Sequence, residues 1–368
     1  MTNPAPNSTV VVGLSGGVDS AVAAKLLSDQ GHVVKGVFMK NWDEDDGTEL
    51  CTAPKDFEDA RRVADAIGIE LLTANFAAEY WERVFEEFLS EYQNARTPNP
   101  DILCNRNIKF DLFVQYANQI GAETVATGHY AHVTSNEGSF ALHKAKDLNK
   151  DQTYFLQGIS RHRLAHVLFP LSDLYKKDVR RIAKNAGLGV HEKKDSTGIC
   201  FIGERRFREF LGRYIESEPG PIVDRLGSEI GQHPGLAFFT LGQRQGIGIG
   251  GRRGAESKPW YVMEKIPATN TLVVTQREVD LMTHALVATN ANWLVDSPEI
   301  YKNCTAKTRY GQVDQPCRFH INRAQIEVAF DSPQRAVTPG QYVAFYNGSQ
   351  CLGGAQVEST MAGTSTND

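Results

Sequence analysis

The sequence predicts an α/β chain that begins as a doubly wound parallel sheet and ends in small β-rich units. Three observations carry this. Apolar runs alternate with amphipathic helical stretches through the first third, the order that builds a parallel sheet with helices on its faces. Glycines stand at the ends of those helical stretches. Near Glu218-Pro219-Gly220-Pro221 the helical period gives way to turns and short alternating runs.

Thr9 to Leu14 is almost continuously apolar, as a strand buried on both faces is. Ser20 to Gln30 follows as a helix, with Val22, Ala23, Leu26 and Leu27 on one face and Gly31 as its stop. His32 to Met39 reads as the second strand. Asp56 to Ile67 places Phe57, Ala60, Val63, Ala64 and Ile67 at helical spacing before Gly68. Ile69 to Ala74 is a third strand, Ala78 to Tyr92 an amphipathic helix, Cys104 to Asn118 another helix, and Glu123 to Thr127 a fourth strand. The stretch from Asp151 to Tyr214 is helical in pattern and includes Lys176 to Ala186, which stops at Gly187. Beyond it, Tyr261 to Thr275 resembles a hairpin with its tip near Ala268 to Asn270. Ile326 to Phe330, Gln341 to Phe345 and Cys351 to Val357 read as further strands of small barrels. These changes divide the chain into 1–213, 214–275 and 276–368.

The 368 residues, 41% hydrophobic and 23% charged, suffice for two or three cores, and no apolar run has the length of a membrane span. Met1 to Ser8 is polar and holds two prolines, without the basic-then-apolar order of a secretory leader, so a cytoplasmic location is expected. Six scattered cysteines form no CxxC pair, which argues against a disulfide framework and a structural zinc site. Cys304, Cys317 and Cys351 read as core residues of β segments, and Cys51 follows an acidic loop without an assigned role. His162 and His166 share a helical face, but no carboxylate completes a metal site. The net charge of −5 argues weakly against a nucleic-acid partner. Its distribution argues the other way, because Arg161 to Arg213 carries 13 basic against 6 acidic residues and could lie beside phosphates. Composition alone favours the plainer reading, a solvated helix face.

Gly13-Leu14-Ser15-Gly16-Gly17-Val18-Asp19-Ser20 joins the first strand to the first helix. Gly16 and Gly17 allow a tight turn that brings N–H groups close to an anion, Ser15 and Ser20 offer hydroxyls, and the helix directs its positive end at the ligand. Read by itself, the triplet also fits a βα turn with Asp19 or Ser20 as helix cap. Gly246, Gly248 and Gly251 satisfy G-x-G-x-x-G, but a polar stretch ending in Pro259 follows them, so they read as a turn. In Pro98-Asn99-Pro100-Asp101-Ile102-Leu103-Cys104-Asn105 the prolines hold an extended loop. Cys104 is then expected near a helix start, where the dipole favours thiolate, with Asp101 one turn upstream to take or orient a proton. A capping Asp101 and a packed Cys104 are the plain alternatives. Cys200, in Asp195-Ser196-Thr197-Gly198-Ile199-Cys200-Phe201-Ile202-Gly203, has Lys193, Lys194, Arg205 and Arg206 nearby, a setting suited to a thiolate or persulfide. The alternative is a cysteine in a short apolar strand.

The loop string SGGVDS resembles the pyrophosphate loop of enzymes that split ATP between its α and β phosphates. With FMKNW (38–42), NFAAEYW (75–81), RTPNPDILCN (96–105), ATGHY (126–130), KDQ (150–152), KKDSTGICFIGER (193–205), TLGQR (240–244) and TPGQ (338–341), the chain resembles the bacterial tRNA-specific 2-thiouridylase family over nearly its whole length. The resemblance implies a pyrophosphate-loop ATPase site in the sheet, a small central domain and a C-terminal β-barrel that contacts tRNA. It implies that Gly13, Leu14, Ser15, Gly16, Gly17, Val18, Asp19 and Ser20, with Met39 and Gly128, hold ATP and its Mg2+. Asn99, Pro100 and Asp101 would meet the wobble uridine of tRNAs for Lys, Glu and Gln. His129, Lys150, Asp151, Gln152, Arg309, Tyr310 and Gln341 would touch tRNA; Lys150 and Arg309 suit phosphate, and Tyr310 suits stacking. Cys104, Cys200 and Asp101 would be catalytic, with the sulfur brought to Cys200 by a donor protein, either a relay protein or a cysteine desulfurase. A pyrophosphate-loop synthetase acting on a small molecule, or a non-catalytic tRNA-binding module, are the competing expectations.

Overall fold

The computed structural model describes residues 8–47, 53–194, 207–249, 258–301 and 303–361. β1 (Thr9–Gly13) and β2 (Val33–Lys40) flank α1 (Val18–Asp29), and α2 (Ala53–Ile67) leads to β3 (Glu70–Asn75). A helical rod follows: α3 (Ala77–Tyr80) and α4 (Glu86–Gln93), joined by a π-helical turn at Trp81–Phe85. A second rod comprises α5 (Pro100–Cys104) and α6 (Phe113–Gln119), joined by π-helical Asn105–Leu112. After β4 (Thr124–Ala126) come the hairpin β5 (Ala131–Asn136) and β6 (Ser139–Lys144), then α7 (Thr153–Leu156), β7 (Val167–Leu168), α8 (Lys176–Asn185) and α9 (Phe207–Leu211).

The first sheet is parallel, in the order β3-β2-β1-β4-β7. Alternation along β1 shows why it is wound on both faces: Val10 and Val12 pack with α1, α2 and α8, while Val11 faces the cluster of the two rods. All three are fully buried, so the strand lacks the polar face of a surface strand. The strand order reverses between β1 and β4, and the crevice outside their C-terminal ends is where such sheets hold ligands.

Two features differ from the sequence expectation. Within the stretch expected to be wholly helical, Val167–Leu168 is the fifth parallel strand, bonded to β4; a two-residue ladder is too short to leave a period. Arg161–His166 is a 3-10 turn, in which residues four apart do not share a face. His162 accordingly meets Ser160, and His166 the Glu123 carbonyl.

The central unit is a four-stranded sheet of β8 (Gly220–Asp224), β9 (Glu229–His233), β10 (Tyr261–Ile266) and β11 (Thr271–Thr275). The β10–β11 hairpin turns through Pro267–Thr269 and Asn270, which adopts the left-handed conformation. The last unit closes as a six-stranded antiparallel barrel of β12 (Met282–Trp293), β13 (Asn303–Lys307), β14 (Gln315–Asn322), β15 (Gln325–Arg335), β16 (Tyr342–Asn347) and β17 (Gln350–Met361), because β12 pairs with both β15 and β17. β6 also pairs with β17, so the β5–β6 hairpin from the first part of the chain extends the barrel's sheet. Among the described residues no helix is long and apolar enough to cross a membrane.

Candidate active site

The crevice between β1 and β4 gathers the residues expected to hold a nucleotide. Gly17 is the N-cap of α1 and contributes no side-chain bond to the first turn, so no side chain of the cap occupies the helix's positive end. This removes the reading of Asp19 or Ser20 as cap. Ser20 instead ties the loop: its Oγ accepts from Ser15 N–H at 3.2 Å and donates to the Gly17 carbonyl at 3.1 Å. Gly16 has φ +71° and leans on α2, where a Cβ would stand 2.3 Å from the Asp56 carbonyl oxygen. Met39, at the end of β2, places its methyl so that a Cβ on Gly13 would lie 3.1 Å away. Gly128, just after β4, lies against the loop itself: a Cβ there would sit 2.6 Å from the backbone of Asp19 and Ser20. An open helix N-terminus, a tight glycine turn and a glycine wall fit a polyphosphate.

Three side chains that sequence reasoning did not assign to this loop hold it. Lys176, from the start of α8, donates to both Asp19 oxygens at 2.7 and 2.8 Å, and Tyr130 O–H donates to the same carboxylate at 2.9 Å. Lys193 donates to the Gly16 carbonyl at 2.9 Å and bridges Asp56 and Asp59 on α2 at 2.8 and 2.7 Å. Burial works against its charge, but those hydrogen bonds raise its pKa above the ordinary lysine value. The only sequence signal for it was its place in the string that carries Cys200.

The α5–α6 rod brings the second group. Phe113 packs against Gly13. Cys104 lies nine residues back, about 14 Å along the rod at helical rise. Asn99 caps α5 by accepting from Ile102 N–H at 3.4 Å, Pro100 occupies the first turn, and Asp101 stands one turn before Cys104 on the same face. Cys104 is the last of the five residues of α5, the helix continues beyond it, and its side chain is fully buried, as a packed thiol is. The π-helical segment begins at the next residue, a feature often found at functional sites. Asn105 donates to the Phe155 carbonyl at 3.2 Å, while its own buried Oδ1 has no hydrogen-bond partner among the described residues. Cys200 and Cys51 lie outside the described residues.

The residues expected at tRNA separate into outward and inward sets. Tyr310 is 42% exposed and rests on Phe155, with ring centroids 4.6 Å apart. Lys150 lies in the turn after Asp147. Arg309 is exposed and donates to the Arg335 carbonyl. Inward lies Asp151, whose carboxylate is buried and accepts from Thr153 Oγ1 at 2.8 Å and from the Ala145 N–H; its desolvation raises its pKa. Gln152 Oε1 accepts from Tyr130 N–H at 2.9 Å. His129 sits among the rings of Phe110 and Phe169 with Nδ1 2.8 Å from Thr127 Oγ1; desolvation, aided by Lys109, holds its pKa well below the ordinary value, so it is neutral at pH 7. Gln341 points at the 97–99 strap. Cys304 and Cys317 are opposite each other in β13 and β14 with Sγ atoms 3.6 Å apart; Cys304 is only partly buried, and Cys351 is fully buried in β17.

Comparison with known proteins gives consistent matches along the chain. Residues 8–204 match a family model described as a tRNA methyl transferase HUP domain, 208–276 one described as a tRNA methyl transferase PRC-barrel domain, and 283–357 one described as an aminomethyltransferase beta-barrel domain. The chain is 53% identical to the tRNA-specific 2-thiouridylase MnmA of Marinobacter nauticus over 96% of its length and 92% of the relative's. It is 53% identical to that of Hahella chejuensis over 96% and 98%, and 52% identical to that of Escherichia coli O1:K1 over 96% and 97%. Among solved structures it is similar to a 4-thiouridine synthetase in complex with RNA and bound ATP, at TM-score 0.36 and 18% identity over 56% of this chain and 50% of that one. That likeness is too distant to bear on the chemistry.

Proposed function

The chain belongs to the tRNA-specific 2-thiouridylase family, and on that footing we propose that it replaces the 2-oxygen of the wobble uridine in tRNAs for Lys, Glu and Gln with sulfur, at the cost of ATP. One observation supports this most: the nucleotide loop, Met39 and Gly128 converge on the crevice between β1 and β4, and the rod carrying Asp101 and Cys104 packs its Phe113 against Gly13 of that loop.

The loop 13–20 holds the ATP phosphates with backbone N–H groups, the α1 N-terminus and the Ser15 and Ser20 hydroxyls, with Mg2+ accompanying the nucleotide. Lys176 and Tyr130 fix Asp19 so that it does not turn toward the phosphates. The uridine 2-oxygen attacks the α phosphate, pyrophosphate leaves, and the inert carbonyl oxygen becomes part of a good leaving group, AMP. Cys200 takes sulfur as a persulfide from a donor protein. The terminal persulfide sulfur attacks C2, AMP leaves and Cys104 then cleaves the bond to Cys200, or Cys104 first attacks the persulfide and the freed hydrosulfide displaces AMP; either route leaves a Cys104–Cys200 disulfide that an external thiol reduces before the next turnover. Asp101 moves the proton that this exchange requires. Tyr310 and Lys150 face the RNA. The work divides among a catalytic unit at 1–213, a small unit at 214–275 and a tRNA-contacting barrel at 276–368, in the cytoplasm.

A turnover assay with unmodified tRNA, Mg-ATP and a persulfide source tests this, with nucleoside mass spectrometry for 2-thiouridine and parallel measurement of AMP. Wild type should make 2-thiouridine and the Cys104→Ser and Cys200→Ser variants should not. AMP without thiolated RNA would leave only a pyrophosphate-loop synthetase for small molecules; tRNA binding without AMP would leave an RNA-binding module.

A further inference from the structure

The strap 96–99, between α4 and α5, is bound along its length by one segment of the barrel, 338–341. Thr97 N–H donates to the Pro339 carbonyl at 2.9 Å. Pro98 and Pro100 have no N–H to donate, and on the barrel side Pro339 has none while Gly340 and Gln341 give theirs to the Val357 and Thr338 carbonyls, so residues 339–341 leave no backbone donor for the strap's carbonyls. Gln341 supplies what is missing from its side chain. Its Nε2 donates to the Thr97 and Pro98 carbonyls at 2.9 and 2.8 Å, and its Oε1 accepts from Asn99 Nδ2 at 3.3 Å. Asn99 passes the constraint on, because its Oδ1 caps α5. Gly340 makes the approach feasible: at φ +91° a Cβ would stand 2.8 Å from Glu91 Oε2 and 2.9 Å from Thr97 N and O. Ion pairs flank the contact, with Arg96 held by Glu91 at 2.9 Å and by Glu358 of β17 at 3.0 Å, and Gln356 donating to Glu91 at 3.0 Å.

We infer that Gln341 is a positioning residue for the reaction: from the barrel it sets the N-terminus of α5, and so the placement of Asp101 in its first turn and of Cys104 about one turn further on. Both Nε2 hydrogens are committed to the strap before any RNA is present. The inference deepens the proposed reaction and rests on it for its kinetic consequence alone. A barrel that reads RNA is thereby joined, through two amide side chains, to the start of the helix that carries the thiol.

The test compares wild type with Gln341→Ala, Gln341→Glu and Gly340→Ala. Gln341→Glu keeps length and acceptor but loses both donors, so it should behave as Gln341→Ala does; Gly340→Ala should push the segments apart. Two measurements are made. In free protein, alkylation of Cys104 by iodoacetamide, followed by peptide mapping, should quicken about tenfold, the change expected from losing two hydrogen bonds of ordinary net strength. In turnover, kcat for 2-thiouridine should fall about tenfold or more, with the KM for tRNA changed little. An unchanged alkylation rate, or a raised KM with wild-type kcat, overturns the inference and leaves Gln341 an RNA contact. Faster alkylation in a protein whose wild type makes no 2-thiouridine keeps the positioning role and removes the proposed reaction.

Discussion

Gly128→Ala is the substitution whose effect on the nucleotide loop follows most directly from the geometry. The new methyl would lie 2.6 Å from the carbonyl carbon of Asp19 and from the backbone nitrogen of Ser20. Ordinary contact begins at 3.4 Å, so the first turn of α1 must retreat by about 0.8 Å. Backbone cannot rotate away as a side-chain end can. Overpacking of this kind costs about 1–3 kcal/mol of stability. The larger effect is on function, since a displacement near 1 Å in a group that orients the reaction costs about 100-fold in rate. ATP-dependent AMP formation in the presence of tRNA measures this. Gly128→Ala should lose about two orders of magnitude in kcat/KM for ATP while remaining folded. Gly189→Ala, where a Cβ meets nothing within 4 Å, should match wild type. Wild-type kinetics for Gly128→Ala would refute the claim that this contact sets the loop.

Lys265 is buried beneath the Phe239 carbonyl, and burial lowers its pKa to about 8. The unfolded chain binds its proton up to about pH 10.4, so stability should rise with pH between about 8 and 10.4, and Lys265→Met should raise the pH 7 melting temperature through a gain of at most about 3 kcal/mol. A lower melting temperature would show that the bond to Phe239 outweighs the buried charge. His129 is held neutral when folded, so the unfolded chain takes up a proton that the native state refuses as pH falls below about 6.5. Stability should decline in that window, and His129→Phe should reduce the slope by about one proton in denaturant titrations at pH 5 to 7. Cys304 and Cys317, with Sγ atoms 3.6 Å apart, should close to a disulfide when a small disulfide reagent accepts their two electrons. Peptide mapping should find that cross-link, and two thiols still open to alkylation would sink the prediction.

What the sequence makes legible is what neighbouring residues decide. Val10 to Val12 are apolar on both faces because both faces are covered, and Gly16 is a glycine because its φ is positive and α2 lies against it. Both facts leave a local trace. Val167–Leu168 leaves none: its strand character comes from a two-residue pairing with β4. The β5–β6 hairpin is equally silent, because its stability draws on β17, with Leu142 opposite Cys351. The candidate site divides the same way. Its loop and its Pro-Asn-Pro-Asp string can be read in place, while Lys176 reaches Asp19 across 157 residues and Gln341 reaches Asn99 across 242. A side-chain amide such as that of Gln341 looks alike in sequence whether it waits for a ligand or closes a strap. Its meaning is fixed by the Thr97 and Pro98 carbonyls, which find no backbone donor on Pro339, Gly340 or Gln341, and only the folded chain brings those carbonyls to its side chain.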